Sequence, residues 1–323
     1  MNLSGRVPTT SISDLPRSPQ NARNLIRQLG LFDSTMVMVG IVLGSGIFIT
    51  TGIITQHLPS VWLILAAWTV GGVLTLAGAF AFAELGAAIP EAGGPYVYLR
   101  KAYGPLVGFL FGWVTFAVYV TGAIAGLGVA FAAYMGYFLP DLSTQAVVFR
   151  ANLFGIEYVL SSGQLVAVGA ILLLSLVNYV GVSFGKTVQN FLTVVKIGSI
   201  LALVFFGLAI GKGAFPVLDL NPKHLGAADL LTGFGLALVA VGWAYDGWNN
   251  VTYVAGEIEN PGRNLPASLF LGTLTVTILY ILVNLIYFYA LPLNEIAGVV
   301  RVAEKAAMAM FGETGAASDL RRC

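Results

Sequence analysis

The chain has 323 residues, of which 57% are hydrophobic and 10% charged, with a formal net charge of +1 and a mean hydropathy of +0.85. Soluble domains carry about a quarter charged residues, so too little polar surface is present to coat a water-soluble globule. The 16 basic residues are scattered, which gives no support to a nucleic-acid partner, and the one cysteine, Cys323, excludes a disulfide framework and a thiolate metal site.

In chain order, residues 1–34 are polar and mixed in charge, and read as a cytoplasmic segment rather than a signal peptide. Beyond them the apolar runs are long. No Asp, Glu, Lys or Arg occurs from Ser34 to Ala83, from Ala102 to Pro140, or from Tyr158 to Gly185. A spanning helix needs roughly 20 apolar residues, and the pattern predicts seven spans, near 35–55, 61–89, 103–138, 163–183, 188–210, 230–256 and 266–291. The breaks fall at His57-Leu58-Pro59, Pro90 to Gly104, Leu139 to Gly163, Gly185-Lys186, Gly211 to Asp229, and Glu257 to Pro266.

Loop cations set the orientation. With the N-terminus inside, inner segments hold eight (Arg6, Arg17, Arg23, Arg27, Arg100, Lys101, Lys186 and Arg263) and outer loops three (Arg150, Lys212 and Lys223). The bias favours a cytoplasmic N-terminus and opposes a seven-span receptor, which starts outside. Residues 292–323 then lie outside. Arg301, Glu304 and Lys305 share one face of a short helical stretch, and the end, Asp319-Leu320-Arg321-Arg322-Cys323, leads us to expect that the chain stops before its fold does.

Three charged residues sit within predicted spans: Glu84, Lys196 and Asp246. Charges in hydrocarbon are costly and mark function by default. Glu84 is only six residues from Pro90, and a structural role is at least as good a reading there. Lys196 is mid-span, sharing a helical face with Gln189 and Thr193 at i, i+4 and i+7. Asp246 lies in Gly242-Trp243-Ala244-Tyr245-Asp246-Gly247-Trp248-Asn249-Asn250, and the first span contains Gly40-Ile41-Val42-Leu43-Gly44-Ser45-Gly46-Ile47-Phe48. Glycine at this density permits an unwound turn. Transporters use such breaks, where freed amides meet an anionic substrate group and freed carbonyls a cation. Gly108/Gly112 and Gly122/Gly126 are better read as helix-packing pairs. So is the seventh-span stripe Thr273, Thr277, Tyr280, Asn284 and Tyr287, as interhelical hydrogen bonding. No catalytic constellation or cofactor motif is present in the sequence, so nothing supports an enzyme.

Taken together, these motifs resemble the amino acid–polyamine–organocation superfamily, and within it the L-type and bacterial amino acid exchangers. The resemblance runs from Leu29-Gly30-Leu31-Phe32-Asp33 and Gly44-Ser45-Gly46-Ile47-Phe48 through Phe82-Ala83-Glu84-Leu85-Gly86 and Gly93-Gly94-Pro95-Tyr96-Val97-Tyr98 to Thr193-Val194-Val195-Lys196. It is densest at Trp243 to Asn249 and at Glu257-Ile258-Glu259-Asn260-Pro261-Gly262-Arg263. It implies an all-α transmembrane fold of inverted five-helix repeats, with 35–210 the first repeat, 211–291 the first two spans of the second, and 292–323 an outer loop; about twelve spans are usual. It implies a substrate carboxylate on the amides of Ser45, Gly46 and Ile47 beside Gly44, and an amine on carbonyls near Val42, Trp243, Ala244 and Asp246. Trp243 stands where the family often has an aromatic gate, and Lys196 where sodium-independent members place a lysine whose ammonium substitutes for a sodium ion. An eighth span should pack beside the first span and Lys196.

The function so implied is secondary transport of amino acids in a plasma membrane, as in bacterial cells, by exchange or proton coupling. An inactive permease fragment and a seven-span sensor are the alternatives. The implied partners are the amino acid substrate and the lipid bilayer. The loop from Leu139 to Ser162 lacks the cysteine that joins animal L-type transporters to a heavy chain, so no such partner is expected.

Overall fold

The computed structural model describes residues 25–153, 156–213 and 226–312. Arg6, Arg17, Arg23, Lys223 and the segment Asp319 to Cys323, used above for orientation and for the chain end, lie outside the described residues.

The first span is broken in two. Helix α1, Leu31–Val42, and helix α2, Gly46–Ile54, are bent by 44° at the three residues between them. Helix α3, Val61–Ala88, is a single long crossing. Helix α4, Pro95–Tyr103, occupies the predicted Pro90–Gly104 break, because Pro95 suits a first helical position and Gly94 (φ 49°) makes the preceding turn. The third span comprises α5, Pro105–Val114, a π-turn over Thr115–Tyr119, and α6, Val120–Phe138.

The bundle is all-α across its spans, as expected, and the next loop adds a small β ribbon that the sequence reading does not include. Strands β1, Val147–Leu153, and β2, Ile156–Ser161, form an antiparallel ribbon with Arg150 opposite Val159 and Ala151 opposite Tyr158. Both runs are rich in β-branched and aromatic residues, which favour strands.

Helices α7, Ser162–Val180, and α8, Val182–Ile210, are the fourth and fifth spans. Their break is at Gly181 (φ 139°), not at the expected Gly185-Lys186, which lies inside α8. Only glycine takes that backbone conformation readily. The sixth span begins as α9, Ala227–Ala244, and stops being α-helical there; Asn250–Glu257 follows as a 3-10 helix. The seventh, α10, Pro261–Ala290, starts earlier than predicted because Pro261 opens the helix and Pro266 is carried within its second turn. Short helices α11, Leu293–Ile296, and α12, Val302–Phe311, end the described chain, with Arg301 paired to Glu304 at 3.3 Å.

Among the described residues, six helical stretches are long and apolar enough to cross a membrane, seven with the bent first pair, and the protein is an integral membrane protein. Helices α3 and α10 form its centre and share the largest helix–helix contact, with α1, α2 and α9 against them; much of the α5–α6 and α7 surface stays exposed. Small residues allow this closeness. Gly71 faces Val241, Gly86 faces Leu265, Gly272 faces Met38, and Gly40 faces Gln189 and Thr193, each with no room for a β-carbon. At Gly72 a β-carbon would lie 2.6 Å from Thr277 Oγ1 and 2.9 Å from the Tyr245 hydroxyl oxygen.

Gly72→Val is therefore expected to destabilise the bundle by about 1–3 kcal/mol, the range for overpacking a filled core. The check is the thermal midpoint of purified protein in detergent. A midpoint equal to that of the parent would show that α3 and α10 are not packed this closely.

Candidate functional site

Both backbone breaks have specific geometry. The α1 ladder ends with Leu43 N–H donating to the Val39 carbonyl at 2.8 Å. Gly44 N–H then donates to the Val42 carbonyl at 2.7 Å, and Leu43 has φ −70° and ψ 69°, an inverse γ-turn. Ser45 precedes α2 in a helical backbone conformation, and its side chain makes no capping bond. A helix start leaves its first amides without intrahelical partners and carries partial positive charge. Here that start is formed by the Gly44-Ser45-Gly46 turn.

The sixth span breaks beside it. After Ala244, Asp246 N–H donates to the Trp243 carbonyl at 3.2 Å, and Gly247 turns with φ 93°. The two breaks touch: a β-carbon on Gly46 would lie 2.9 Å from Ala244 Cα, and one on Gly247 2.6 Å from Ile41 Cγ2. Tyr280 of α10 passes behind both, with its hydroxyl oxygen 2.8 Å from the Val42 carbonyl and 2.9 Å from the Ala244 carbonyl.

Helix α8 presents the predicted polar face to α1. Thr193 Oγ1 donates to the Met36 carbonyl at 3.2 Å, and Lys196 Nζ donates to the Gly40 carbonyl at 3.0 Å. A cavity of about 700 Å³ lies alongside, lined among others by Gly44, Ser45, Ile47, Lys196 and Tyr134. A second cavity of about 730 Å³ lies between α3, α4, the third span and the segment after Asp246. Asp246 lines that one, 2.5 Å from the Tyr119 hydroxyl, with Asn249, Asn250 and Tyr253.

The sequence-derived residues are thus only partly united. Gly44, Ser45, Ile47 and Lys196 share a cavity; Gly46 is buried against Ala244, and Val42 and Ala244 meet through their carbonyls at Tyr280. Trp243 is 58% exposed on α9, and the Asp246 side chain looks into the other cavity. Glu84 is exposed.

The sequence reading gave Tyr280 a packing role within its stripe, and the structure connects it to both breaks. Its neighbour Asn284 bonds to Thr51 at 2.7 Å, which is the interhelical bonding expected of that stripe. Two further groups were not singled out: Tyr119, from the π-turn, and a cluster at one end of the bundle. There Asp33 receives Lys186 Nζ at 3.0 Å and Asn190 Nδ2 at 2.6 Å. Beside it Leu29 pairs with Ile258 in a parallel bridge, and Gln28 and Leu29 N–H both donate to the Glu257 carbonyl at 2.9 and 3.0 Å.

Comparison with known proteins agrees in type. Residues 29–317 match a family model described as amino acid permease. The serine/threonine exchanger SteT of Bacillus subtilis is 33% identical over 293 residues, covering 90% of this chain and 61% of the relative. The b(0,+)-type amino acid transporter 1 of Homo sapiens is 33% identical over 277 residues, 84% of this chain and 53% of its own. The Homo sapiens cystine/glutamate transporter is 30% identical over 302 residues, 91% of this chain and 56% of its own. The chain therefore spans between about half and three-fifths of the length of these relatives.

The tight contact of Gly46 with Ala244 yields a test. Gly46→Val is expected to push the breaks apart and to lower amino acid binding by roughly 100-fold or more, as displacements of about 1 Å do at a positioned site. The variant should still insert in the membrane and elute as one species. Binding within twofold of the parent would mean that this contact is only helix packing.

Proposed function

The chain belongs to the amino acid permease family, and we propose that it carries the broken-helix site of a sodium-independent amino acid transporter, working by exchange or proton coupling. The family and the relatives named above are transporters, which speaks against both the enzyme and the sensor readings. The observation that carries the proposal is the apposition of the two breaks beside Lys196. In hydrocarbon an unpaired backbone amide or carbonyl costs several kcal/mol. A sequence that breaks two helices next to each other uses the freed groups for something.

In this reading the α-carboxylate meets the amides of Ser45, Gly46 and Ile47 beside Gly44. The positive end of α2 favours the anion there. The α-ammonium meets the carbonyl ends near Val42, Trp243, Ala244 and Asp246. An amino acid holds both charges on one carbon, which suits two breaks that touch. Lys196 brings a fixed cation to the Gly40 carbonyl, on the last turn of α1. An ammonium there can take the place that the family resemblance gives to a sodium ion, and this is the reason for reading the site as sodium-independent. Trp243 serves as a gate.

The proposal extends to the arrangement. Residues 35–210 form a first five-helix repeat and 211–291 begin a second of opposite topology. The N-terminal segment, 1–34, faces the cytoplasm of a bacterial plasma membrane, and 292–323 lie outside. The loop-cation bias supports this orientation. No disulfide-linked heavy chain is part of this reading, since the loop from Leu139 to Ser162 has no cysteine.

Proteoliposomes preloaded with unlabelled serine, leucine or cystine test the function by uptake of the same labelled amino acid. Uptake is expected to require internal amino acid or a proton gradient, and to be unchanged when choline replaces sodium. Lys196→Ala is expected to insert normally and to lose about tenfold or more of the rate, one charge-assisted hydrogen bond being about 1.5–3 kcal/mol. Uptake that needs sodium, or a Lys196→Ala variant at the parent rate, would remove this residue from the mechanism.

A further inference from the structure

The Tyr280 hydroxyl has more to do than close a packing gap. Val42 is the last residue of α1 and Ala244 the last of α9, so their carbonyls belong to helix ends that lack intrahelical donors. Both lie within hydrogen-bonding distance of one phenolic oxygen, at 2.8 and 2.9 Å. That oxygen cannot swing away. The ring is fully buried, edge-on to Trp68 at 5.0 Å and to Tyr245 at 5.1 Å, and the Tyr280 carbonyl accepts from Asn284 Nδ2 at 2.7 Å.

A tyrosine hydroxyl carries one proton. Two acceptors therefore face one donor. The Val42 carbonyl has a second donor, Gly44 N–H at 2.7 Å, on the far side of its turn. When the phenolic proton serves Val42, the Ala244 carbonyl is short of a donor. When it serves Ala244, Val42 keeps Gly44. An unfilled acceptor in a buried place costs about 1–3 kcal/mol. A primary ammonium, with three N–H donors and a positive charge, is the group that would fill it.

We propose that Tyr280 is a positioning residue that ties the two broken spans together through one shared proton and so leaves one helix-end carbonyl open for the substrate's ammonium. This deepens the amino acid transporter reading and rests on it for the identity of the ligand. It explains why the anchor is a tyrosine. An asparagine or glutamine amide there would bring two N–H donors and close both carbonyls, while phenylalanine would bring none and leave the broken ends untied.

The experiment separates the tie from the ammonium. Tyr280 is replaced by phenylalanine, and in a second variant by 4-aminophenylalanine, whose two N–H groups can serve both carbonyls at once. With Cys323→Ser as background, spin labels at Phe32 on α1 and Val239 on α9, both exposed, report the distance between the two broken spans without any ligand. Binding of labelled L-serine, L-leucine and L-cystine reports the ammonium site.

Tyr280→Phe is expected to broaden the label distances and to weaken binding by about tenfold or more, the equivalent of one hydrogen bond to a charged group. The 4-aminophenylalanine variant is expected to keep the parent distances and still to bind about tenfold or more weakly, because the open carbonyl is filled. A purely structural tyrosine predicts otherwise: binding would recover whenever the distances do. Parent-like distances in Tyr280→Phe overturn the tie, and parent-like affinity in the 4-aminophenylalanine variant overturns the open carbonyl. If the parent binds none of the three amino acids, the transporter reading fails and the ammonium assignment with it, while the label distances still decide the tie.

Discussion

A helix that breaks inside hydrocarbon uncovers backbone groups that have no water to turn to, and this constraint organises the bundle. Two spans break here, at Leu43 to Ser45 and after Ala244, and they break against each other. The groups uncovered at the carbonyl ends are met from two neighbouring helices. Tyr280 of α10 reaches Val42 and Ala244, and Lys196 of α8 reaches Gly40. The amide end, at the start of α2, is given no side-chain cap. The protein thus meets the carbonyl ends of its breaks only in part from within, one phenolic proton being shared by two carbonyls, and presents the amide end to a cavity that Ser45 and Ile47 line.

The remaining packing serves that arrangement. Glycines at 71, 72, 86 and 272 let α3, α9, α10 and α1 approach closely enough for one tyrosine to touch two helix ends. At one end of the bundle the entry to the first span is joined to the segment after the sixth, where Leu29 pairs with Ile258, and α1 is joined to the fifth span, where Asp33 binds Lys186 and Asn190.

Much of this was legible in the sequence because hydrocarbon makes residue choice severe. The apolar runs located the spans, and the Gly44-Ser45-Gly46 and Gly242 to Gly247 runs located the breaks. The i, i+4, i+7 stripe of Gln189, Thr193 and Lys196 pointed to the face turned to α1, since a lysine in mid-span must find an oxygen. The span ends were less legible where glycine and proline compete: Gly181, not Gly185, turns the chain, and Pro261, not Pro266, starts α10. The β ribbon at 147–161 is hard to read because its two runs are short and lie in a loop between spans. Tyr280 was visible only as one member of a hydrogen-bonding stripe. Its link to both breaks depends on three helices meeting at one depth, a fact of tertiary packing that spacing along one helix does not carry. The same holds for Tyr119 and Asp246, 127 positions apart in the chain.

The central claim is that the uncapped start of α2, beside the carbonyl end of α9, receives an amino acid by both of its charged groups. Alkylation of a single cysteine tests it most directly: Ser45→Cys in a Cys323→Ser background, reacted with N-ethylmaleimide in membranes. The account predicts that a substrate amino acid slows the reaction in a saturable way, and that neither its methyl ester nor its N-acetyl derivative does so at the same concentration. Equal protection by the ester, or no protection by any amino acid, would contradict it.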